Sequence, residues 1–279
     1  MAGPIVVGVD GSKPASAAAE WAAADAQRRR LPLKVLHVCE QWPGGIDGRK
    51  YCLGTLEAAA DSARAVSVDI EVSTQLLDGN VVEVLIGQSA SADSLVLGSR
   101  GLGGFAGLVL GSVGLAVAGH ASGPVVIVRA PAGAEHGRIV VGDDGSESAA
   151  EAMPYAIEQA RARHARLLAV YAWQAPIVSA YAPDYGLLLK DAFREEARTA
   201  KERVARWRKD HPDVEIADQQ VSKHPVPALV EASATADLVV VGSRGLGGFA
   251  SAVLGSVSHG VLHRATCPVA VVRPRGKES

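Results

Sequence analysis

The stretch VLGSRGLGGFAGLVLGSV, residues 96–113, returns later in the chain as VVGSRGLGGFASAVLGSV, residues 240–257. Residues 98–113 and 242–257 match at 14 of 16 positions, with a shift of 242 − 98 = 144. A second repeated stretch, VVGVDGS at 6–12 and VVGDDGS at 140–146, has a shift of 140 − 6 = 134. Two repeats in the same order predict two copies of one domain, over residues 1–132 and 133–279.

The boundary falls in RAPAGAEHG, residues 129–137, a short linker rich in alanine, glycine and proline. Because the two shifts differ by 144 − 134 = 10, the second copy has about ten additional residues between the two repeats. The most plausible place for them is YAWQAPIVSAYAPDYGLLLK, residues 171–190.

Within the first copy, short apolar runs alternate with helical patterns. The runs predict strands at residues 5–9, 33–38, 68–77, 94–98 and 125–128, and helices at 14–30, 53–66, 81–90 and 113–121. Strands that alternate with helices predict a parallel sheet covered on both faces. The fold class is therefore α/β, with two tandem doubly wound, Rossmann-like domains.

Composition and charge argue against nucleic-acid binding, against a membrane span and against secretion. A net charge of −2 leaves no basic stripe for nucleic acid. The 28 uncharged residues between Arg100 and Arg129 are interrupted by glycines and by Pro124, so they do not predict a membrane span. No signal peptide is visible at the N-terminus, and three cysteines without a CxxC pair (Cys39, Cys52 and Cys267) suggest buried, reduced thiols. The expected location is cytoplasmic.

The repeated loops coincide with the place where such a fold binds ligands. In a doubly wound sheet, ligands bind beyond the carboxyl ends of the strands where the strand order reverses. If strands 1 and 4 are neighbours there, the loops that leave them are the two repeated ones, DGS and GSRGLGGFAGLVLGS. This coincidence is the main physical argument for a ligand site.

The glycine loop suits a phosphate group. Gly98, Gly101, Gly103 and Gly104 lack Cβ, so the backbone can take positive φ and bring its N–H groups close to an anion. Gly111 then permits a tight turn into a helix whose first N–H groups face the same anion. Ser112 adds a hydroxyl, and Arg100 adds charge. For one isolated loop, simple turns and a serine N-cap would be the better explanation, but two near-identical copies favour the ligand.

The commoner phosphate loops do not fit. A Walker loop needs a lysine that neither copy has, and a dinucleotide loop needs an acidic residue about 20 positions later. Neither copy has an acid at that distance. Asp10 and Asp144 remain to hold a ribose, a base or a metal ion, or simply to cap the next helix.

The motif G-x₂-G-x₉-G-S, present in both copies, resembles the ATP-binding signature of the universal stress protein family. VVGVDGS resembles the opening strand of that family. The resemblance covers essentially the whole chain as a tandem pair. It implies a five-stranded sheet of order 3-2-1-4-5 in each domain and an adenine nucleotide, ATP with or without Mg²⁺, whose phosphates lie on the glycine loop.

The resemblance also implies the binding residues. In the first copy they are Gly8, Asp10, Val38, Gly98, Ser99, Arg100, Gly101, Leu102, Gly103, Gly104, Gly111, Ser112 and Val113. In the second copy they are Gly142, Asp144, Val170, Gly242, Ser243, Arg244, Gly245, Leu246, Gly247, Gly248, Gly255, Ser256, Val257 and Ser258.

Two positions depart from the family pattern. Gly114 stands where the family usually has the hydroxyl that is kept as Ser258, which implies a weaker hold on the terminal phosphate in the first copy. Asp143 replaces Val9 before the motif aspartate and adds a negative charge.

The family pairs domains through their last strands. VVIV (125–128) and VAVV (269–272) would otherwise be exposed apolar edges, so we expect them to pair within the chain. A further homodimer is not decided by the sequence.

The leading hypothesis is a nucleotide-dependent regulator of stress physiology, not an enzyme, with one adenine-nucleotide site in each domain. The alternative is a slow ATPase or nucleotidyl-transfer enzyme, against which the missing lysine and general base count. A scaffold without nucleotide is a third hypothesis, disfavoured by the intact glycines. No metal site is predicted, since His259 and His263 have Leu115 and Gly119 as counterparts.

Overall fold

A computed structural model describes residues 3–40, 46–67, 69–102, 110–129, 135–174, 185–246 and 253–274. The elements of the first half are β1 Ile5–Gly8, α1 Lys13–Arg29, β2 Leu33–Cys39, α2 Ile46–Val66, β3 Val72–Asp78, α3 Val81–Ser89, β4 Ser94–Gly98, α4 Ser112–His120 and β5 Val125–Val128. Those of the second half are β6 Arg138–Gly142, α5 Glu147–Ala162, β7 Arg166–Ala172, α6 Tyr185–Asp210, β8 Ile216–Val221, α7 Pro225–Ser233, β9 Leu238–Gly242, α8 Ser256–Arg264 and β10 Val269–Val272.

Each half has the predicted doubly wound sheet. The strands lie in the order β3-β2-β1-β4-β5 in the first half and β8-β7-β6-β9-β10 in the second, and neighbours within a half are parallel. The central strands are short runs of valine, isoleucine and leucine because both of their faces are buried. The fold class predicted from the sequence is confirmed.

The two halves share one ten-stranded sheet. The last strands, β5 and β10, run antiparallel, with Val125 opposite Val271 and Ile127 opposite Val269. Neither of these apolar edges therefore faces solvent.

The helices cover both faces of this sheet. One face packs against α1, α2, α5 and α6, and its core is rich in alanine on α1 and α5. The other face packs against α3, α4, α7 and α8. The alanines let the helices approach the strands closely, which brings the first turns of α1 and α5 near the ends of β4 and β9.

One helix begins earlier, and one strand begins later, than the sequence patterns indicate. We expect the second helix at residue 53, but α2 begins at Ile46, because the solvent-facing Gly48 and Gly54 do not end it. The third strand begins at Val72, later than the expected residue 68. Strand registers place the additional residues of the second half between β7 and β8, since the shift is 167 − 33 = 134 at Leu167 and 216 − 72 = 144 at Ile216. Of the stretch 171–190, residues 175–184 lie outside the described part.

The expectation of three reduced cysteines is wrong. Cys39 and Cys52 form a disulfide across a sequence separation of 13, with their Cα atoms 6.1 Å apart. The end of β2 and the first half of α2 bring the two side chains together, a proximity that no local spacing motif announces. Cys267 is a free, buried thiol, as expected.

Among the described helices, none combines the length and apolar character that crossing a membrane requires.

Candidate functional site

The two repeated loops leave neighbouring strands in both halves. β1 lies beside β4, with Gly8 opposite Leu97, and β6 lies beside β9, with Val141 opposite Val240. Both pairs are at the point where the strand order reverses. The DGS loop and the glycine loop therefore start side by side at the carboxyl edge of the sheet, where this type of fold binds ligands.

Asp10 ties the two loops of the first half together. Its Oδ1 accepts a hydrogen bond from the backbone N–H of Ser12 at 3.0 Å, and its Oδ2 accepts one from the N–H of Leu102 at 2.9 Å. The Ser12 hydroxyl donates to the carbonyl oxygen of Arg100 at 3.2 Å. Ser12, not Asp10, caps α1 by accepting from the N–H of Ala15. Asp10 therefore serves the loop rather than the helix.

The second half repeats this arrangement. The carboxylate of Asp144 accepts from the N–H of Ser146 at 3.0 Å and from that of Leu246 at 3.1 Å. The Ser146 hydroxyl donates to the carbonyl of Arg244 at 3.3 Å and caps α5. The same four hydrogen bonds in both copies hold the described residues of the two loops in the same way, with the aspartate at the centre.

The motif glycines are needed because a side chain at these positions would not fit, not because their backbone is left-handed. A Cβ atom at Gly101 would lie 2.5 Å from Oδ2 of Asp10, and one at Gly245 would lie 2.4 Å from Oδ2 of Asp144. A Cβ at Gly98 would lie 2.6 Å from the backbone of Pro14, and one at Gly242 would lie 2.7 Å from that of Ser148.

Positive φ, which the missing Cβ permits at Gly98 and Gly101, is not adopted there: among the described loop residues, φ is positive at Gly11 and Gly145 of the DGS turns. Gly103 and Gly104 lie outside the described residues, as do their counterparts Gly247 and Gly248.

The helices that follow the glycine loops begin without a side-chain cap. Gly111 and Gly255, the N-cap residues of α4 and α8, have no side chain that could accept from the first N–H groups, and no side-chain cap bond is made within the described residues. Ser112 and Ser256 are the first helical residues, and both are exposed. A helix start with free N–H groups attracts an anion through its backbone donors and its dipole. Serine capping, the alternative explanation for these residues, does not apply.

Backbone hydrogen bonds also anchor the start of each glycine loop to the last strand of its domain and to the N-cap of the next helix. The backbone N–H of Ser99 donates to Val128 at 2.7 Å, and its carbonyl accepts from Gly111 at 2.8 Å. Ser243 makes the same bonds with Val272 and Gly255. Of the other predicted residues, Leu102, Leu246 and Arg100 are exposed, Arg244 is half-buried, and Val113 and Val257 pack partly against the core.

Ser258 does not present its hydroxyl to a ligand. The side chain is 2% exposed, and Oγ donates to the carbonyl oxygens of Ser243 at 3.0 Å and Gly255 at 2.9 Å. The sequence-based expectation that this hydroxyl holds a terminal phosphate is corrected: it stiffens the turn into α8. At the equivalent Gly114, a Cβ would lie 3.3 Å from Cδ1 of Ile127, so a serine there would be tight.

The residues predicted at the base and ribose have packing roles. A Cβ at Gly8 would meet Leu97 at 2.7 Å, and one at Gly142 would meet Leu229 at 3.3 Å. Val38 lies near the end of β2 and is buried. The strand registers correct its supposed counterpart: Gly142 is opposite Val170 as Gly8 is opposite Leu36, so Val170 is equivalent to Leu36, and Ala172 is equivalent to Val38.

The two sites differ beside the DGS turn. In the first half, Val9 and Ala59 line a cavity of about 440 Å³ between α1 and α2, together with Tyr51 and Thr55. Their counterparts are Asp143 (9 + 134 = 143) and Arg203 (59 + 144 = 203), whose side chains form an ion pair at 3.3 Å.

Sequence reasoning noted Asp143 but missed Arg203. The sequence did carry a signal for this ion pair, because the apolar pair Val9 and Ala59 of the first copy is replaced by two oppositely charged residues in the second copy.

Burial governs the electrostatics of this ion pair. It raises the pKa of Asp143 above its ordinary value, although Arg203 and the N–H of Gly145 act in the opposite direction. The guanidinium of Arg203 also lies over the ring of Tyr171, 5.9 Å from its centre. Asp143 therefore points to α6, away from the motif aspartate.

The described residues contain no group of three histidines, cysteines or acids close enough to hold a metal ion. His259 and His263 have ring centres 4.5 Å apart on α8. A cation at the site would thus depend on the aspartate and on the ligand itself.

Comparison with known proteins agrees with this architecture. A sequence model of the universal stress protein family matches residues 1–129 and again 135–273. A curated universal stress protein of Mycobacterium tuberculosis is 35% identical over 291 residues, covering 96% of both chains. One from Mycolicibacterium smegmatis is 34% identical over 97% of both chains. The crystal structure of a universal stress protein from Archaeoglobus fulgidus has a TM-score of 0.74 over 98% of both chains at 23% identity, a similarity of fold.

Proposed function

Because this chain belongs to the universal stress protein family, we propose that it is a regulator of stress physiology that binds an adenine nucleotide, ATP by preference, in each domain. The two sites lie at the carboxyl ends of β1 and β4 and of β6 and β9. The paired domains of one chain form the working unit, and occupancy of the sites is its signal.

One observation carries this proposal: the same aspartate-centred loop is built twice. Asp10 accepts from Leu102 at 2.9 Å and Asp144 accepts from Leu246 at 3.1 Å, each beside a helix that begins without a side-chain cap. A loop that served only as a turn would not need a carboxylate at its centre in both copies. A negative and a positive region held side by side suit a ligand with hydroxyls at one end and phosphates at the other.

Different residues of each site would bind different parts of the nucleotide. The free N–H groups at the starts of α4 and α8 would receive the phosphates, with Ser112 and Ser256 adding hydroxyl donors. Asp10 and Asp144 each use one lone pair of each carboxylate oxygen for the loop, so others remain for ribose hydroxyls. They could equally serve as the single protein carboxylate that Mg²⁺ needs when the phosphates supply the rest of its ligands.

The sites are proposed to differ in affinity. In the first site, the cavity beside Gly11 offers space for the ligand. In the second site, the guanidinium of Arg203 takes the equivalent space beside Gly145, because its Cζ would lie 3.0 Å from a Cβ atom built at that glycine. We therefore expect two equivalents of nucleotide per chain with unequal binding constants.

The test is the release of small molecules from purified protein, followed by calorimetric titration. Mass spectrometry should find ATP, ADP or AMP, and the titration should give a stoichiometry of two. The proposal fails if no adenine nucleotide is released and none binds at millimolar concentration. A sustained ATP turnover above roughly one per minute, lost in Asp10→Ala and Asp144→Ala, would support the enzyme alternative instead.

A further inference from the structure

A polar cluster with a fully buried centre joins the two domains on the face of the sheet opposite α4 and α8. At its centre, Asp25 of α1 and Gln159 of α5 are each 0% exposed. Nε2 of Gln159 donates to Oδ2 of Asp25 at 3.0 Å. These two residues occupy the same position in the two copies, because 25 + 134 = 159. The pair therefore lies where the domains meet across their approximate twofold axis.

Basic residues at equivalent positions complete the cluster. Arg163 donates to Oδ1 of Asp25 at 2.8 Å and to Oε1 of Gln159 at 3.1 Å. Arg29, its counterpart (29 + 134 = 163), lies 3.8 Å from Oδ2 of Asp25 and also bonds to Asp93 and Glu158. One buried carboxylate is thus shared by two guanidinium groups from different domains.

Aromatic rings extend the same symmetry. The guanidinium of Arg29 lies over the ring of Tyr155, 5.6 Å from its centre, and that of Arg163 lies over the ring of Trp21 at 5.2 Å. Tyr155 and Trp21 are again equivalent, since 21 + 134 = 155. Each arginine therefore stacks on the other domain's ring. The symmetry breaks at the exchange of Asp25 for Gln159 and at the Tyr155 hydroxyl, which accepts from Nε2 of Gln159 at 3.2 Å and is absent from Trp21. Arg28 and Glu158 at the rim also have alanine counterparts, Ala162 and Ala24.

We infer that this exchange makes the interface selective: each domain accepts the other as its partner and rejects a second copy of itself. Two copies of the first domain would bury two carboxylates against each other. Two copies of the second would bury two Arg163 side chains around two Gln159 amides, leaving the exposed Glu158, the partner of Arg29 in this chain, as their carboxylate. Burying unpaired or like charges is strongly unfavourable, whereas the mixed pair has one anion, its hydrogen-bond donors and its cations.

The inference does not depend on nucleotide binding. It says that the surface formed by β5, β10, α1 and α5 is reserved for pairing between a first and a second domain. A homodimer in which each chain keeps its own two halves paired would have to use another surface.

The test is a swap of the two residues within the full chain. Asp25→Gln and Gln159→Asp are made singly and together, and thermal unfolding is followed at pH 7. Because Arg29 and Arg163 are equivalent across the axis, the double variant rebuilds the contacts among the carboxylate, the amide and the two arginines in mirrored form, without the bond from the amide to the Tyr155 hydroxyl. Each single variant should lower the unfolding midpoint by roughly 10 °C, while the double variant should lose less than half of the summed effect. Asp61→Gln, which removes an exposed carboxylate on α2, is the matched control and should change little.

The pH dependence adds a second readout. Gln159→Asp places two carboxyl groups together among Arg28, Arg29, Arg163 and the Tyr155 hydroxyl, with Asp93 and Glu158 at the rim. Repulsion raises the pKa of such a pair, so a shared proton should restore stability as the pH falls from 7 to 5.

Additive losses in the double variant would overturn the inference. If Gln159→Asp does not fold, recovery of folded protein in the double variant supports the inference and its failure to fold overturns it.

Partner choice can be read directly after cleavage of the folded chain. A protease site is inserted between residues 130 and 134, and the cut protein is analysed by native mass spectrometry. We expect complexes of one first half with one second half. Complexes of two first halves would overturn the inference.

Discussion

Gly101 lies so close to Asp10 that a Cβ atom at position 101 would fall 2.5 Å from Oδ2 of the aspartate. The same relationship holds between Gly245 and Asp144 at 2.4 Å. Gly101→Ala should therefore push the carboxylate away from the N–H of Leu102 and remove one equivalent of bound nucleotide, and Gly245→Ala should remove the other. Calorimetric titration of each variant measures this stoichiometry.

Gly87→Ala is the matched control, because nothing lies within 4 Å of a Cβ at that position on α3. It should bind two equivalents and be as stable as the parent chain or slightly more so, since alanine favours a helix over glycine by about 1 kcal/mol. Full binding by Gly101→Ala would show that the contact between the loop and Asp10 is not needed for the ligand.

Gly98→Ala and Gly242→Ala should act mainly on stability. Their Cβ atoms would fall 2.6 and 2.7 Å from the backbone of Pro14 and Ser148, at the first turns of α1 and α5. Backbone cannot rotate away, so each helix must move from the sheet, at a cost of roughly 1–3 kcal/mol in the free energy of unfolding. Urea denaturation measures this loss. An unchanged midpoint would mean that α1 and α5 shift without cost.

The repeated loops were enough to predict the architecture. Alternating apolar runs predicted the strands, and the two shifts indicated about ten additional residues between the repeats of the second half, which the strand registers place between β7 and β8. The meeting of Asp10 with the glycine loop followed from the reversal of strand order, a property of the fold rather than of any local pattern.

The remaining features depend on contacts between distant segments. Positive φ was the natural explanation of Gly98, but the true reason is the backbone of α1, which only packing reveals. The disulfide between Cys39 and Cys52 has no spacing motif. Ser258 has a hydroxyl suited to a phosphate, yet its burial turns it toward two carbonyl groups. Single positions in a sequence do not disclose which way a side chain points.

The disulfide should hold α2 against the end of β2. Cys39→Ser with Cys52→Ser should lower the free energy of unfolding by roughly 3 kcal/mol, because the open chain regains the freedom that the crosslink removes. Hydrogen exchange should become faster over residues 46–66 and change little in β6–β10.

Dithiothreitol should reproduce this effect in the parent chain and have no effect on the double variant. Burial raises the pKa of the Cys267 thiol to about 12, so this third cysteine should not react with thiol reagents in the folded protein. Equal exchange over residues 46–66 before and after reduction would contradict the prediction.

Asp143 should make the protein less stable as the pH rises. Burial raises its pKa above 3.8, against the influence of Arg203, so the folded chain holds the proton more tightly than the unfolded chain. The stability that this group contributes is present below pH 3.8 and is lost as the pH rises through the folded pKa. Asp143→Asn cannot titrate, so its stability relative to the parent chain should increase from pH 4 to pH 7, measured by urea unfolding at each pH. Asp213 is the opposite control, because its hydrogen bond with Arg161 lowers its pKa, and Asp213→Asn should lose relative stability as the pH rises towards 3.8, with little further change above it. Equal slopes for the two variants would show that burial does not control the ionisation of Asp143.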